Sequence, residues 1–182
     1  MHNIELETKD LIIRKAKKDD YKSLLKNYWS KEKTAKFMLW KPIFTDAEAI
    51  ERIEKTIDFE VNKPCFIITE KSSGESIGMV GFIEEQPQVY GDCGLGIGCD
   101  FVGRGYGSQV LSRMLQYLFY ECKAKKVIYT AMKENVSSNS LQKKFNFSYV
   151  QTVQKTRDYD NLNYEMHIYE LTSENYFKTQ NQ

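Results

Sequence analysis

Two spacings of apolar residues alternate along the chain and divide it into strands and helices. Leu11-Ile12-Ile13-Arg14 reads as a short strand. Asp19 is placed as the N-cap of a helix whose Tyr21, Leu24, Leu25 and Tyr28 recur at helical spacing. A second helix opens near Thr45-Asp46 and carries Ala49, Ile50, Ile53, Ile57 and Val61 on one face. Cys65 to Thr69 and Ile77 to Glu84 are strands joined by a hairpin turn at Lys71 to Glu75. Gln86 to Gly91 turns the chain into another strand, Asp92 to Gly98. A long helix follows a run of glycines, with Val110, Leu111, Met114, Leu115, Leu118 and Phe119 as its buried stripe. Val127 to Met132 is a strand, Ser137 to Lys144 a short helix, Phe147 to Val153 a strand and Tyr164 to Leu171 a closing strand.

Hairpins fill the middle of the chain, and helices alternate with strands late in it. That pattern predicts an α/β protein with one mixed sheet and helices on both faces. The length of 182 residues fits a single domain over 1–182, with the last ten or so residues a loose tail. Lys and Arg total 26 against 25 Asp and Glu, a net charge of +1. Neither the basic face of a nucleic-acid binder nor an acidic tail is present. Cys65, Cys93, Cys99 and Cys122 have no paired spacing, and the histidines are His2 and His167. This set implies neither a disulfide framework nor a metal site. The first residues lack the apolar core of a signal peptide, and the longest apolar run, Ile77 to Ile83, falls far short of the ~20 residues of a membrane helix. The expectation is a soluble, reduced, cytoplasmic protein with no nucleic-acid or membrane partner.

The segment Val102-Gly103-Arg104-Gly105-Tyr106-Gly107-Ser108 joins a strand to the long helix. Glycine tolerates positive φ and lets a ligand approach the backbone closely. Backbone N–H groups converging at a helix N-terminus form an anion cradle that needs no basic side chain. The spacing fits neither a P-loop nor a dinucleotide fingerprint. Helix-on-strand packing is the competing use of such glycines. The Arg104 side chain could reach a phosphate or be solvated.

A second cluster is Asn135-Val136-Ser137-Ser138, followed by Leu141, Gln142, Lys144, Phe145, Asn146 and Phe147. Asn135 follows a strand and precedes a helix, where its amide can cap the helix or bind a ligand amide. Ser138 brings a hydroxyl to the first turn.

The order strand, Gly-x-Gly-Tyr-Gly, long helix, strand, then Asn-x-x-Ser-x-x-Leu-x-x-Lys-Phe-x-Phe resembles the GNAT acetyltransferases. The resemblance covers nearly the whole chain and is strongest to the branch of ribosomal-protein N-terminal acetyltransferases. It extends to the opening Glu7 to Arg14 and the closing Asn161 to Leu171. It implies a mostly antiparallel sheet of about seven strands, splayed where coenzyme A binds. It also implies acetyl-CoA as donor, an amine as acceptor and no metal. Carried over by position, the backbone of Leu95, Gly96 and Ile97 would pair with the pantetheine amides like an added strand. The N–H groups of Gly103, Arg104, Gly105, Tyr106, Gly107 and Ser108 would hold the pyrophosphate. Asn135 would bond the pantetheine arm, and Ser138 would sit near the thioester sulfur.

Three positions depart from the family pattern. Val102 stands where many members carry Gln or Arg. Asn146 replaces a glycine before Phe147, and Asn substitutes well at positive φ. Gln142 stands where many members carry a tyrosine acid, which makes Ser138 the candidate proton donor. For the base, Glu84, Glu85, Asp158 and Asp160 are candidates, with Glu84 placed first. A backbone N–H near Ile97 would stabilise the oxyanion. Trp29, Phe37, Met38 and Trp40 lie in or beside the connection between the first two helices, and Trp29, Phe37 and Trp40 are candidate walls of the acceptor site. The acceptor is a protein N-terminus or a small-molecule amine, and the protein a monomer or homodimer. The alternative is a catalytically inactive CoA-binding module, motivated by the missing tyrosine.

Overall fold

A computed structural model describes residues 4–180. Eight strands form one sheet: β1 (Glu5–Glu7), β2 (Leu11–Arg14), β3 (Cys65–Glu70), β4 (Ser76–Gln86), β5 (Val89–Ile97), β6 (Lys126–Met132), β7 (Ser148–Thr156) and β8 (Asn163–Thr172). Their order is β1-β2-β3-β4-β5-β6-β8-β7. The β5–β6 pair is parallel, and the recorded pairs on either side of it are antiparallel. The count is eight, not about seven, because the opening segment folds back on itself. Across that turn the Thr8 N–H donates to the Leu11 carbonyl and the Leu11 N–H to the Thr8 hydroxyl, and β1 pairs with β2. The chain divides into two compact units.

The first unit comprises residues up to Phe82 together with Cys93–Arg113. Its helices are α1 (Asp20–Leu24), α2 (Glu32–Ala35), α3 (Asp46–Glu60) and the start of α4 (Tyr106–Gln116). Asp19 is the N-cap residue of α1, as expected, but its side chain makes no capping bond. The neighbouring Asp20 is the carboxylate that is used. It accepts the Lys17 N–H at 2.7 Å, both arms of the Arg14 guanidinium at 2.8 Å and the Ser76 hydroxyl at 2.8 Å. A buried carboxylate is tolerable when its lone pairs are filled in this way. After α1 the chain continues into a π-helical turn, Leu25–Trp29.

Helix α3 starts where Thr45 and Glu48 form a reciprocal capping box. Ala49 and Ile53 are buried and Ile57 packs beside them, but Ile50 and Val61 face solvent. The apolar stripe is therefore narrower than the sequence implied. Leu24, Tyr28, Trp29, Ile43, Ala49, Ile53 and Ile67 form one hydrophobic cluster. Strand alternation places Glu70 on the face of β3 opposite Ile67. There it meets the start of α4, so helices cover both faces. Gln109 of α4 also ties down the β1–β2 turn, accepting from the Thr8 hydroxyl and the Asp10 N–H and donating to the Asp10 carboxylate.

The second unit is Ile83–Asp92 with residues from Met114 onward. The stripe foreseen on the long helix is buried, though α4 gives way to a π-helical turn at Tyr117–Glu121. Helix α5 (Val136–Lys144) is followed by Asn146 at φ 58, the left-handed conformation expected of an Asn in place of Gly. Phe147 then packs edge-on against Tyr129. The described part of the expected tail, residues 173–180, is not loose. It forms α6 (Ser173–Gln180), with Tyr176 buried and stacked on Phe119 at 4.5 Å. Tyr176 and Phe177, in the middle of this short helix, both meet the Phe119 ring and supply the burial that orders it.

Glu60, at the end of α3, is 2% exposed and accepts the Ala16 N–H at 2.8 Å. Burial pushes its carboxyl up to about 7 from the ordinary 4.5, outweighing the Ala16 N–H and the charges of Lys15 and Arg14; Asp20 pushes the same way as burial. The folded state thus holds this proton more tightly than the unfolded chain. The stability involved is complete below about 4.5 and is lost as pH rises through about 7. Glu60→Gln keeps an acceptor for Ala16 and removes the ionisation. It should be more stable than the parent at pH 8 by on the order of 1–3 kcal/mol, with no gain near pH 4, in paired denaturant melts.

Candidate functional site

In the first unit, β5 ends at Ile97 and leads through a tight turn, Cys99–Phe101, into the glycine loop. Val102 to Gly105 are exposed. Gly103 has φ +83 and Gly105 φ +76, and an added Cβ at either would meet nothing within 4 Å. These glycines serve backbone conformation, and neither makes room for a neighbouring residue of the protein. Helix α4 begins at Tyr106, so the first N–H groups of the helix have no intrahelical acceptor and point into this open space.

The loop's two long side chains are held away from it. Tyr106 donates its hydroxyl to Glu70 Oε1 at 2.7 Å, and Arg104 Nη1 donates to the same oxygen at 3.0 Å. A second Arg104 arm reaches the Asp100 carbonyl at 3.3 Å. The Tyr106 and Ser73 hydroxyls and the Arg104 charge hold the Glu70 carboxyl below the usual range. Arg104 is therefore a strut to β3 in this structure, and the backbone N–H groups are what the loop presents to an anion.

Behind the loop, β5 is built for close approach. A Cβ at Gly96 would lie 2.1 Å from the Tyr28 hydroxyl, and one at Gly78 would lie 2.1 Å from the Gly96 carbonyl. Gly94 bends the strand at φ +119. Only Val89–Gly91 pair with β6, opposite Lys126–Ile128. Asp92 ends that ladder inside the second unit: its Oδ1 takes the Thr130 N–H at 2.6 Å and the Thr130 hydroxyl at 2.9 Å. Leu95, Gly96 and Ile97 lie beyond the paired positions.

The aromatic residues placed at the acceptor site have different uses. Trp29 is 1% exposed and belongs to the hydrophobic cluster, so it is core and not an open wall. Trp40 packs against that cluster with its ring 5.2 Å from Tyr28. Phe37 is half-buried under the Lys36 ammonium.

In the second unit, Asn135 is the N-cap of α5, its Oδ1 accepting the Ser138 N–H at 3.2 Å. The capping role open in the sequence is thus realised, and it leaves the amide Nδ2 for other partners. Ser138 is half-buried on the first turn. Gln142 is fully buried, and neither atom of its amide finds a partner among the described residues. It cannot stand in for a surface-reaching tyrosine acid. Glu84 is exposed, and its Oε1 accepts the Gln88 N–H at 2.7 Å, closing the β4–β5 turn. Glu85 is likewise exposed near that turn.

Three residues escaped the sequence reading. Asn139 is buried; its Nδ2 donates to the carbonyls of Met132, Lys133 and Asn135. Its Oδ1 accepts the Tyr169 hydroxyl at 2.7 Å and faces His167 Nδ1 at 3.0 Å. This one amide fixes the β6–α5 connection from which Asn135 and Ser138 project. Its only signal was a second Asn four residues after Asn135. Arg52 and Glu60 both line a cavity of about 410 Å³ between α3 and the sheet. Both lie on a helix that reads as ordinary amphipathic surface. Among the described residues no group of three or more His, Cys, Asp or Glu could hold a metal, and no helix is long and apolar enough to cross a membrane.

Residues 10–148 match the acetyltransferase (GNAT) domain family. A curated relative, the uncharacterised N-acetyltransferase p20 of Bacillus licheniformis, is 26% identical over 145 residues, covering 78% of this chain and 81% of that protein. Among solved structures, a GNAT-family acetyltransferase from Bacillus anthracis superposes with a TM-score of 0.80 at 20% identity, covering 94% of this chain and 99% of the other. A candidate ribosomal-protein-serine acetyltransferase from Vibrio cholerae gives 0.79 at 19% identity, covering 93% and 97%. The family match spans most of the chain, across the glycine loop and the Asn135–Phe147 segment, and the fold is the family's own. The chain belongs to the GNAT acetyltransferases and is an acetyl-CoA-dependent acyltransferase.

Proposed function

We propose that the protein acetylates a primary amine, of a protein N-terminus or a small molecule, by direct attack on acetyl-CoA. The observation that carries this reading is the open backbone cradle at Gly103 and Gly105, heading α4 with its side chains tied back to Glu70. A Cβ at either glycine would project into the space a ligand would take. Acetyl-CoA, when bound, supplies an acetyl group activated as a thioester.

The chain's own residues then have distinct tasks. The N–H groups of Gly103, Arg104, Gly105, Tyr106, Gly107 and Ser108 receive the pyrophosphate, aided by the partial positive charge at the head of α4. The backbone of Leu95, Gly96 and Ile97 pairs with the pantetheine amides in the manner of an added strand. Asn135 donates from Nδ2 to the pantetheine arm, its Oδ1 being engaged as a cap. Ser138 donates its hydroxyl to the departing sulfur, since Gln142 is buried where a tyrosine acid would be needed. The acceptor must lose a proton before it attacks. Glu84 is engaged in closing a turn, so we assign it no step and route that proton to solvent.

Thermal-shift titration with acetyl-CoA, coupled to thiol release against peptide N-termini, polyamines, aminoglycosides and amino acids, tests the reading. Ligand at ~100 times its dissociation constant should stabilise the protein by ~2.7 kcal/mol. Stabilisation without thiol release from any acceptor would favour an inactive CoA-binding module. Gly105→Val should fold, because nothing lies within 4 Å of the new side chain, yet weaken acetyl-CoA binding at least tenfold by blocking the cradle and straining a left-handed position. Unaltered binding would remove the loop from the donor site. Ser138→Ala should lower kcat by roughly 10- to 100-fold with little change in KM for acetyl-CoA. An unchanged kcat would end the proton-donor assignment.

A further inference from the structure

Arg52 is a cation without a counter-ion. It projects from α3 between two indoles, its guanidinium carbon 5.3 Å from the Trp29 ring and 4.7 Å from the Trp40 ring. Its Nη1 is buried and has no hydrogen-bond partner, and no carboxylate among the described residues pairs with it. Burial holds the guanidinium below its ordinary pKa, and Tyr28 is the one group that opposes the shift. Leaving a charged donor desolvated and unpaired is costly, and such a group persists where a ligand completes it. The two rings hold the guanidinium beside them, and its N–H donors are what remains for recognition.

The arginine borders a cavity. Arg52, Phe59, Glu60, Phe66, Met79 and Gly94 line about 410 Å³, a volume in the range of small-molecule sites. Its lining is mainly apolar; Lys55, also at its edge, is already paired with Glu51, so Arg52 is the cation left for a ligand. Gly94 immediately precedes Leu95 on β5, so the cavity reaches the strand assigned to the pantetheine arm. At its other end Glu60, about 12 Å farther along α3, has a buried Oε1 with no partner. One end therefore offers the N–H donors of Arg52 and the other an unpartnered carboxyl oxygen.

We infer that this cavity receives the acceptor, and that the acceptor is an amine bearing an oxyanion, a carboxylate or a phosphate, bound by the guanidinium edge of Arg52. The inference rests on the acetyltransferase reading for the word acceptor, but the anion site itself does not. Trp29 and Trp40 act here as positioning residues: they hold Arg52, and the ligand meets the arginine.

The chain has two tryptophans, and both flank Arg52. Intrinsic tryptophan fluorescence is therefore a local reporter that needs no turnover. The full chain would be titrated with N-acetylglycine, with inorganic phosphate and with the uncharged N-acetylglycinamide. A saturable change is expected with at least one anion and none with the amide, and the two anions separate carboxylate from phosphate recognition. Arg52→Gln should abolish the response while melting cooperatively, and Arg52→Lys, which keeps charge but loses the fork, should weaken it about tenfold. Equal responses to amide and anions, or a full response in Arg52→Gln, would overturn the inference. In the thiol-release assay, an amino acid should outperform its amide, or phosphoethanolamine ethanolamine, by at least tenfold in kcat/KM. Arg52→Gln should erase that preference by raising KM for the anionic member alone. Equal use of both members by the parent protein would also overturn it. An anion response with no thiol release would leave the anion site standing and count against the acetyltransferase reading instead.

Discussion

The carboxylate of Glu70 is the contact on which the glycine loop depends. It is almost completely buried on β3, yet its Oε1 receives both Tyr106 and Arg104, and its Oε2 receives the Ser73 hydroxyl. Burying an acid is costly unless its oxygens are filled, and here donors from the loop help to fill them. The bulky side chains of a flexible, glycine-rich segment are thereby anchored on one side. The backbone of Gly103 and Gly105 is left facing open space at the head of α4. An anion cradle of this kind needs no basic excess, which is consistent with a chain whose net charge is only +1.

Glycines in the sheet solve a different problem. At Gly78 and Gly96 a methyl group would collide with backbone or with the Tyr28 hydroxyl, so these positions exist for packing. Gly81 has the same character: its missing side chain lets Cys65 Sγ and Cys93 Sγ approach to 3.5 Å. At the end of the β5–β6 ladder, a side chain and not a strand backbone satisfies Thr130, since Asp92 takes both of its donors.

Helix α3 combines two functions that the same amphipathic pattern hides. Ala49 and Ile53 fill the core, while Arg52 and Glu60 direct polar atoms into a largely apolar cavity. Buried polar atoms that lack partners are rare in folded proteins. Their clustering in one cavity gives that cavity a chemical character, cationic at one end and bearing an unpartnered carboxyl oxygen at the other. In the second unit Asn139 does the opposite: every polar atom of its amide is used, which rigidifies the start of α5.

The sequence by itself determined the order of the main elements, the strand–glycine–helix junction, the helix start near Thr45 and the left-handed Asn146. These are local matters, set by periodicity, by glycine's freedom and by side chains that bond their own backbone neighbours. Tertiary structure decided what depended on contacts distant in the chain. Asp20, beside the N-cap residue Asp19, is the carboxylate that is used, because Arg14 and Ser76 converge there. The last residues became a helix because Phe119 offers Tyr176 a face to stack on. Trp29 became core, and with Trp40 it flanks an arginine that no spacing singled out. Burial and the absence of a partner are properties of three-dimensional surroundings, so only the folded chain could show that Arg52 lacks a counter-ion.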